Sequence, residues 1–285
     1  MNVAEEYIKD VEKLAPCPEI ALDVLSIAHE SDCSIPTLAG KIEKDPNLTA
    51  TMLRMANSAY FGYMKKINSI TDIIVRLGLE TVKIIAITGA SVGILKSPQQ
   101  AYGLEPDALW RHSYATAILA SIIARYAKAK DSSAIYTAAL LHDIGKVILN
   151  RPLNVARYNL EEAPSETELL TYERQLLHTD HAEVGMALLT KWGLSDSISV
   201  PVGLHHADSQ PRSKRLSVKI VYLANFLVNI TDLDSTTTTD FFFDVLAYED
   251  HKKKLPTVPN FEENMKVIID EFVDKFNETI AVFVL

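Results

Sequence analysis

The amino-acid sequence predicts an all-α, multi-helix fold, and three observations support that prediction. Apolar residues return every three or four positions through most of the chain, which is the period of an amphipathic helix. Helix-capping residues precede several of these periodic segments, and glycines or prolines follow them. No segment has a second segment with which it could pair as a strand. At 285 residues the chain can bury a substantial core, as one large domain or as two.

Short helices are predicted in the first eighty residues, each with a start signal. Ser34 can cap a helix, and Asp45-Pro46 places a capping carboxylate before a proline at the first helical position. The helix after Asp45 is expected to end near Gly62. Ser69 to Asp72 resembles a capping box and opens a further helix, which Gly78 is expected to stop.

The segment from Val82 to Leu95 has features of both a strand and a helix. Its isoleucines and valines suit a strand, whereas its length and its alanine and serine content suit a buried helix. We interpret it as a helix because no other segment offers it a strand partner. Its most apolar part, Ile84–Leu95, has twelve residues and is too short to cross a bilayer.

A long helix is predicted to begin the second half of the chain. Glu105-Pro106-Asp107 is expected to start it, and it should reach about Ala129 and place His112 on an inward-facing stripe. Ser132-Ser133 are expected to cap the next helix, and Pro152 is expected to end that region.

Three more helices are predicted toward the C-terminus. One runs to Trp192, one runs from Leu216 to Thr231, and a closing amphipathic helix runs from Phe261 to Val284. The helix from Leu216 sets Asn225 on a buried stripe, where its amide needs hydrogen-bond partners or a place beside a metal.

The charge balance and the absence of a targeting signal limit the function classes. A formal net charge of −9 and a pI of about 5.4, with no basic stripe, argue against non-specific nucleic-acid binding. The acidic stretch Met1–Glu6 cannot serve as the positive region of a signal peptide. Cys17 and Cys33 are the only cysteines and are expected to be reduced and packed. A cytoplasmic protein is therefore predicted.

The stretch Ala138–Lys146 ends an apolar run in an imidazole, a carboxylate, a glycine and an ammonium group. His142 and Asp143 would point about 100° apart on a continuing helix, but at a helix end they can converge on one ion. Neutral imidazole and carboxylate together suit Fe, Mn, Zn or Ni. The alternative interpretation is an ordinary polar helix end that Gly145 breaks.

Six of the eight histidines lie within residues 112–206, where an even spread would place about three. They are His112, His142, His178, His181, His205 and His206. This clustering favours a metal site assembled from several helices. The adjacent imidazoles of His205 and His206 could reach one ion or two neighbouring ions.

Motifs along the chain resemble, in order, those of the HDOD family. In the first half they are Asp45-Pro46, Asn57–Gly62 and Leu77-Gly78. In the second half they are His112-Ser113, Leu141–Lys146, His181–Gly185, Trp192-Gly193-Leu194 and His205-His206. HDOD domains are all-helical bacterial signalling modules related to the HD-type metal-dependent phosphohydrolases, and many are thought to have lost catalysis. The resemblance implies a bundle in which an N-terminal helical subdomain packs on an HD-like helical core.

Together with the helix pattern, the resemblance implies a division of the chain and a class of partner. Residues 1–103 would form the N-terminal helical subdomain, residues 104–233 the HD-like core with the metal pocket, and residues 234–285 a C-terminal helical extension. The partners would be signalling proteins acting in trans, with a phosphate-containing ligand and oligomerisation as further expectations. No membrane or specific nucleic-acid partner is expected.

The resemblance also implies a set of metal ligands. His112, His142 and Asp143 match the first three ligands of the HD superfamily, and Asn225 stands where an aspartate is expected. Three residues match the histidines that the related HD-GYP enzymes use for a second metal: His181, His205 and His206. Lys146 matches a lysine that contacts phosphate in those enzymes. The segment after His206, Ala207–Gln210, lacks the Gly-Tyr-Pro motif, which argues against cyclic dinucleotide hydrolysis.

Two functions remain open from the sequence. The first is a regulatory module that retains at most a structural divalent transition metal and acts by binding a partner. The second is a metal-dependent phosphohydrolase acting on a phosphodiester or a nucleotide phosphate, with Asp143 and Lys146 in catalytic roles. The regulatory interpretation is favoured because a single carboxylate among five imidazoles is a poor match for a two-metal hydrolase.

Overall fold

A computed structural model describes residues 3–9, 34–57, 66–155, 166–206, 215–231 and 245–280. These ranges form thirteen α-helices and contain no extended strand; Gln99 and Leu104 form an isolated bridge. The all-α prediction is confirmed. The helices are α1 (Val3–Tyr7), α2 (Ile35–Ile42), α3 (Pro46–Ala56), α4 (Ile70–Leu95), α5 (Ala108–Tyr126), α6 (Ser132–Leu141), α7 (Ile144–Val155), α8 (Glu166–Leu177), α9 (His181–Lys191), α10 (Asp196–Gly203), α11 (Leu216–Asn229), α12 (Val245–His251) and α13 (Phe261–Ile280).

Side-chain caps begin the N-terminal helices where the sequence predicts them. Ser34 and Ser69 each accept a hydrogen bond from the backbone amide three residues later. The Asp45 carboxylate accepts from the amides two and three residues later, at 2.9 and 3.0 Å. Gly78, with φ of +78°, interrupts α4 as predicted, and the ambiguous segment from Val82 to Leu95 is helical.

Replacing Asp45 with alanine is expected to lower the free energy of unfolding by about 1 kcal/mol, because two amides at the start of α3 lose their acceptor. Urea unfolding followed by circular dichroism measures the change. Asp45→Asn keeps an acceptor oxygen and should retain most of the stability. Equal losses in the two variants would show that the cap is not the cause.

Three local predictions are wrong. Helix α3 ends at Ala56, with Asn57 at its C-cap, and not near Gly62. Asp131 caps α6, since its carboxylate accepts from the Ala134 amide at 3.1 Å, while Ser132 and Ser133 already belong to the first helical turn. Pro152 does not end its region but lies inside α7. Proline removes only one hydrogen bond of that helix, and the fully buried Leu153 side chain holds the following turn against the core.

Some predictions concern residues that the structure does not describe. Cys17, Cys33 and Gly62 lie outside the described ranges, as does all of the Asn57–Gly62 motif after its first residue. The proposed division of the chain at residues 103 and 233 stays a prediction. In the part of the chain that is described, no helix combines the length and the apolar character needed to cross a membrane.

Helix α5 is the central element of the core. Thirteen of its nineteen residues are buried, and it packs against α6, α11 and α13. The contact with α13 includes the rings of Tyr114 and Phe276, whose centroids are 6.3 Å apart. Helix α4 reaches the same core, where the Thr88 and Tyr136 hydroxyls are hydrogen bonded at 2.8 Å. This packing fixes α5 and, with it, the position of His112.

Candidate metal centre

His142 and Asp143 occupy the break between α6 and α7. Because the chain leaves one helix before entering the next, the two neighbouring side chains converge, and His142 Nε2 lies 3.4 Å from Asp143 Oδ2. Both side chains are buried. Gly145 allows α7 to begin close to α9, since a Cβ atom built on it would lie 2.0 Å from the carbonyl oxygen of His181.

One group of polar atoms gathers on the Oδ2 side of Asp143. His112 Nε2 lies 3.2 Å from His142 Nε2 and 3.0 Å from Asn225 Oδ1. Asp143 Oδ2 lies 3.8 Å from His112 Nε2. We call this group, formed by His112, His142, Asn225 and Asp143 Oδ2, the first position. Its members come from α5, the break between α6 and α7, and α11.

A second group gathers on the Oδ1 side of the same carboxylate. Asp143 Oδ1 lies 3.3 Å from His181 Nε2 and 3.6 Å from His205 Nε2. The Nε2 atoms of His181 and His206 are 2.7 Å apart. We call this group, formed by His181, His205, His206 and Asp143 Oδ1, the second position. His178 is exposed and takes part in neither group.

All seven residues that the sequence nominates as ligands therefore face one pocket. In each position the donor atoms of the histidines and of Asp143 lie within 4.8 Å of one another. Backbone carbonyls orient two of the rings: His142 Nδ1 donates to Ala139 at 2.7 Å, and His205 Nδ1 donates to Val202. These bonds leave Nε2 of both rings to face the pocket.

Glu173 is a residue of the site that the sequence analysis missed. It lies on α8, is fully buried, and accepts hydrogen bonds from His181 Nδ1 at 2.8 Å and from the His181 backbone amide at 2.9 Å. The Tyr102 hydroxyl donates to the same carboxylate at 2.7 Å. No signal in the sequence distinguishes Glu173 from the other acidic residues of its polar helix, because the face it occupies depends on how α8 packs.

The protonation states of the side chains in the pocket follow from their burial and from the charges beside them. Burial by itself would raise the pKa of the Asp143 carboxyl, but His142 and Lys146 outweigh it and hold that pKa well below its ordinary value. Burial lowers the pKa of His142 to about 4 against the attraction of Asp143. Burial and the neighbouring His206 lower the pKa of His205 to about 4. The two imidazoles are therefore neutral near pH 7, the form that binds metals.

The pKa of His181 is shifted in the opposite direction to those of His142 and His205. Burial opposes its charge, but the carboxylate of Glu173 outweighs burial and raises the pKa of His181 to about 9. The pKa of Glu173 is lowered in turn, since His181 outweighs the effect of burial on that carboxyl. Without a metal, the two side chains form a buried ion pair.

Two buried polar atoms of the pocket have no hydrogen-bond partner among the described residues: Asp143 Oδ1 and His205 Nε2. Unpaired buried polar atoms are costly and rare, and an ion is one of the partners that accounts for them. Imidazole nitrogen and carboxylate oxygen are the donor types that divalent transition metals prefer. The residues present therefore fit a divalent transition metal.

The model of the HDOD domain matches residues 14–208, more than half of the chain. The chain belongs to the HDOD family. A curated relative, an uncharacterized protein of Treponema pallidum (strain Nichols), is 24% identical over 238 residues. The alignment covers 81% of this HDOD chain but 45% of that relative, so the chain spans less than half of the relative's length.

Solved structures share this fold over almost the whole chain. An "HDOD domain protein with unknown function" from Geobacter sulfurreducens aligns with a TM-score of 0.69 and 23% identity, covering 99% of this chain and 98% of that one. A "Putative phosphohydrolase" from Shewanella amazonensis SB2B aligns with a TM-score of 0.70 and 19% identity, covering 97% of each chain. At these identities the likeness establishes the HDOD fold and no activity.

The HDOD pocket opens to solvent beside the first position. A cavity of about 280 Å³ is lined there by Arg111, His112, Asp143 and Lys146, among others. Lys146 Nζ lies 2.6 Å from Asp143 Oδ2, and its side chain is 13% exposed. The two cationic side chains at this opening suit a phosphate-containing ligand.

Proposed function

We propose that this HDOD protein is a bacterial-type signal-transduction module that acts through protein partners in trans. Its HD-type metal site is degenerate, and it has little or no catalytic activity. Membership of the HDOD family supports the regulatory class. The observation that carries the loss of catalysis is the charge of the pocket, which has too little negative charge for two metal ions.

The charge argument rests on three side chains. Among the described residues, Asp143 is the single carboxylate whose oxygens face the Nε2 atoms of the pocket. Asn225 offers a neutral amide where the family pattern places an anion, and the Lys146 ammonium adds a positive charge against Asp143 Oδ2. Two divalent ions would bring four positive charges to a buried site that has one carboxylate between the two groups of rings, Asp143, and one behind His181, Glu173, and uncompensated charge in such a site is expensive.

We expect no phosphodiester or phosphomonoester turnover by the protein. The test reconstitutes the chain with Mn²⁺ and, separately, with Zn²⁺, and measures release of nitrophenol from bis(p-nitrophenyl) phosphate and of phosphate from nucleotides. The wild type and Asp143→Asn should give the same background rate. Metal-dependent turnover that Asp143→Asn abolishes would contradict the regulatory assignment.

Partner binding provides a second test of the proposed function, in which a positive result is expected. Affinity capture from cells that produce the tagged wild-type chain should recover a signalling protein, and the complex should re-form from the purified proteins without added substrate, because the proposed output requires no turnover. Absence of a specific partner would contradict the proposal.

The second candidate function is a metal-dependent phosphohydrolase, and the cavity beside the first position favours it. A bound divalent ion would supply hydroxide near neutral pH. Lys146 and Arg111 line the cavity and would bind the phosphate oxygens of a phosphodiester or a nucleotide phosphate. In this function Asp143 would hold the ion. The turnover assay with Asp143→Asn separates this candidate from the first.

A further inference from the structure

We propose that this protein binds a single divalent transition-metal ion at the second position, as a structural ion, and that the ammonium of Lys146 replaces an ion at the first position. The inference deepens the proposed degenerate site and rests on it. It does not depend on which partner the protein binds. Three features of the pocket distinguish the two positions.

The first feature is where unpaired atoms lie. Asp143 Oδ1 and His205 Nε2, the pocket atoms without hydrogen-bond partners among the described residues, both belong to the second position. At the first position, by contrast, His112 Nε2 is within hydrogen-bond distance of Asn225 Oδ1 at 3.0 Å, and Asp143 Oδ2 accepts from Lys146 at 2.6 Å. Only the second position therefore leaves buried lone pairs that a cation would satisfy.

Pairs of facing imidazoles do not explain the difference, because each position contains one. His112 and His142 face each other through Nε2 atoms 3.2 Å apart, and His181 and His206 do so at 2.7 Å. The preference between the positions depends on the remaining groups.

The second feature is the charge that supports the ligands. His181 donates its Nδ1–H to the buried carboxylate of Glu173, which makes Nε2 a better donor to a metal and brings a second negative charge close to the second position. At the first position, His142 donates its Nδ1–H to the neutral carbonyl of Ala139, and Asn225 adds no charge.

The third feature is the place of Lys146. Its ammonium lies against Asp143 Oδ2. Lys146 follows Asp143 by three residues, one turn along α7, which keeps the ammonium on the Oδ2 side of the carboxylate, where the first position lies. An ion at the first position would have to share Oδ2 with this fixed positive charge or displace it. Oδ1 instead faces His181 Nε2 and His205 Nε2, and no hydrogen bond reaches it among the described residues.

The ligand set of the second position also indicates the role of the ion. Three imidazoles and one carboxylate oxygen supply four protein ligands, which fill a tetrahedral shell and suit Zn²⁺ best among the divalent transition metals. A closed shell of four protein ligands is typical of structural metal sites, whereas catalytic sites keep a ligand position open for water. The ion would hold α9 and the end of α10 to the break between α6 and α7.

A matched pair of variants tests which of the two positions holds the metal ion. His206→Ala removes a ligand from the second position and His112→Ala removes one from the first. Both side chains are partly exposed, and the Nε2 atom of each lies beside the Nε2 atom of one other histidine. The protein is stripped with a chelator, reconstituted with Zn²⁺ and dialysed. Elemental analysis and isothermal titration then measure stoichiometry and affinity, and Co²⁺ gives the visible absorption of a four-coordinate ion.

We expect one ion per chain in the wild type and in His112→Ala, with the intense Co²⁺ bands of tetrahedral coordination. His206→Ala should bind Zn²⁺ about 100-fold more weakly or worse. Far-ultraviolet circular dichroism verifies that both variants are folded before titration. The inference is overturned by two ions in the wild type, by none, or by loss of the ion in His112→Ala but not in His206→Ala.

A gain of function tests the role of Lys146. The double variant Lys146→Met/Asn225→Asp removes the ammonium and restores the missing anion, so its stoichiometry should rise from one ion to two. A count that stays at one would show that these residues do not close the first position. This result would contradict the inference about the metal positions and would leave the proposed function standing. Phosphodiester turnover by the wild type would contradict the proposed function, whatever number of ions the variant binds.

Discussion

Replacing Gly145 with alanine is expected to destabilise the protein by about 3 kcal/mol, the upper end of the usual cost of overpacking, and to disrupt the pocket. The new Cβ atom would lie 2.0 Å from the carbonyl oxygen of His181 and 2.9 Å from its Cα atom. These are backbone atoms, so no side-chain rotation relieves the overlap, and α7 and α9 must move apart. That movement separates Asp143 from His181, whose interaction spans the second position.

The matched control for this substitution is Gly93→Ala. Gly93 is an exposed residue within α4, and a Cβ atom built on it meets nothing within 4 Å. Alanine is a better helix former than glycine there, so this variant should keep or gain up to about 1 kcal/mol. Urea unfolding of both variants gives the free energies, and Zn²⁺ titration reports on the pocket. A Gly145→Ala protein as stable as Gly93→Ala would contradict the close approach of the two helices.

Local chemistry explains which parts of the fold could be predicted. The caps at Ser34, Asp45 and Ser69 and the break at Gly78 are read from neighbouring residues, and the structure has each of them. The prediction at Pro152 is wrong because the helix continues past the proline, where the buried Leu153 side chain holds the next turn against the core. Burial of that kind depends on residues distant in sequence.

The candidate site also contains residues that could be predicted from the sequence and one that could not. The histidines and Asp143 could be nominated because imidazoles clustered along the chain are an uncommon pattern, and the structure brings all of them except His178 together. Whether His205 and His206 reach one ion or two stayed open, since the sequence does not show that the two Asp143 oxygens face different groups. Glu173 could not be found at all, because its importance lies in a hydrogen bond to a ring on another helix.

Replacing Glu173 with glutamine is expected to destabilise the metal-free protein by about 3 kcal/mol near pH 6, because it leaves the buried His181 cation without its counter-charge. The matched control is Tyr102→Phe, which removes one hydrogen bond to Glu173 but leaves the ion pair intact. That variant should lose about 1 kcal/mol, and the loss should change little between pH 6 and 9.

The pH dependence of the Glu173→Gln effect follows from the two shifted pKa values. The pKa of Glu173 is lowered in the folded state, so its contribution is present above the unfolded value of 4.5 and is lost as the pH falls through the folded value. The pKa of His181 is raised to about 9, so its contribution is complete below the unfolded value of 6.5 and is lost as the pH rises through 9. The stability difference between wild type and variant should therefore be largest between pH 4.5 and 6.5.

Urea unfolding of the chelator-treated proteins at several pH values measures that difference. The lowered pKa values of His142 and His205, each about 4, make the wild type itself gain stability as the pH rises from 4 to 6.5. Both proteins share this trend, so it cancels in the difference. A difference that stays constant from pH 6 to 9.5 would show that His181 is not held as a cation by Glu173.

Because His181 must lose that proton to bind a metal, Zn²⁺ binding below pH 9 should release a proton from the wild type, measurable as a buffer-dependent binding enthalpy.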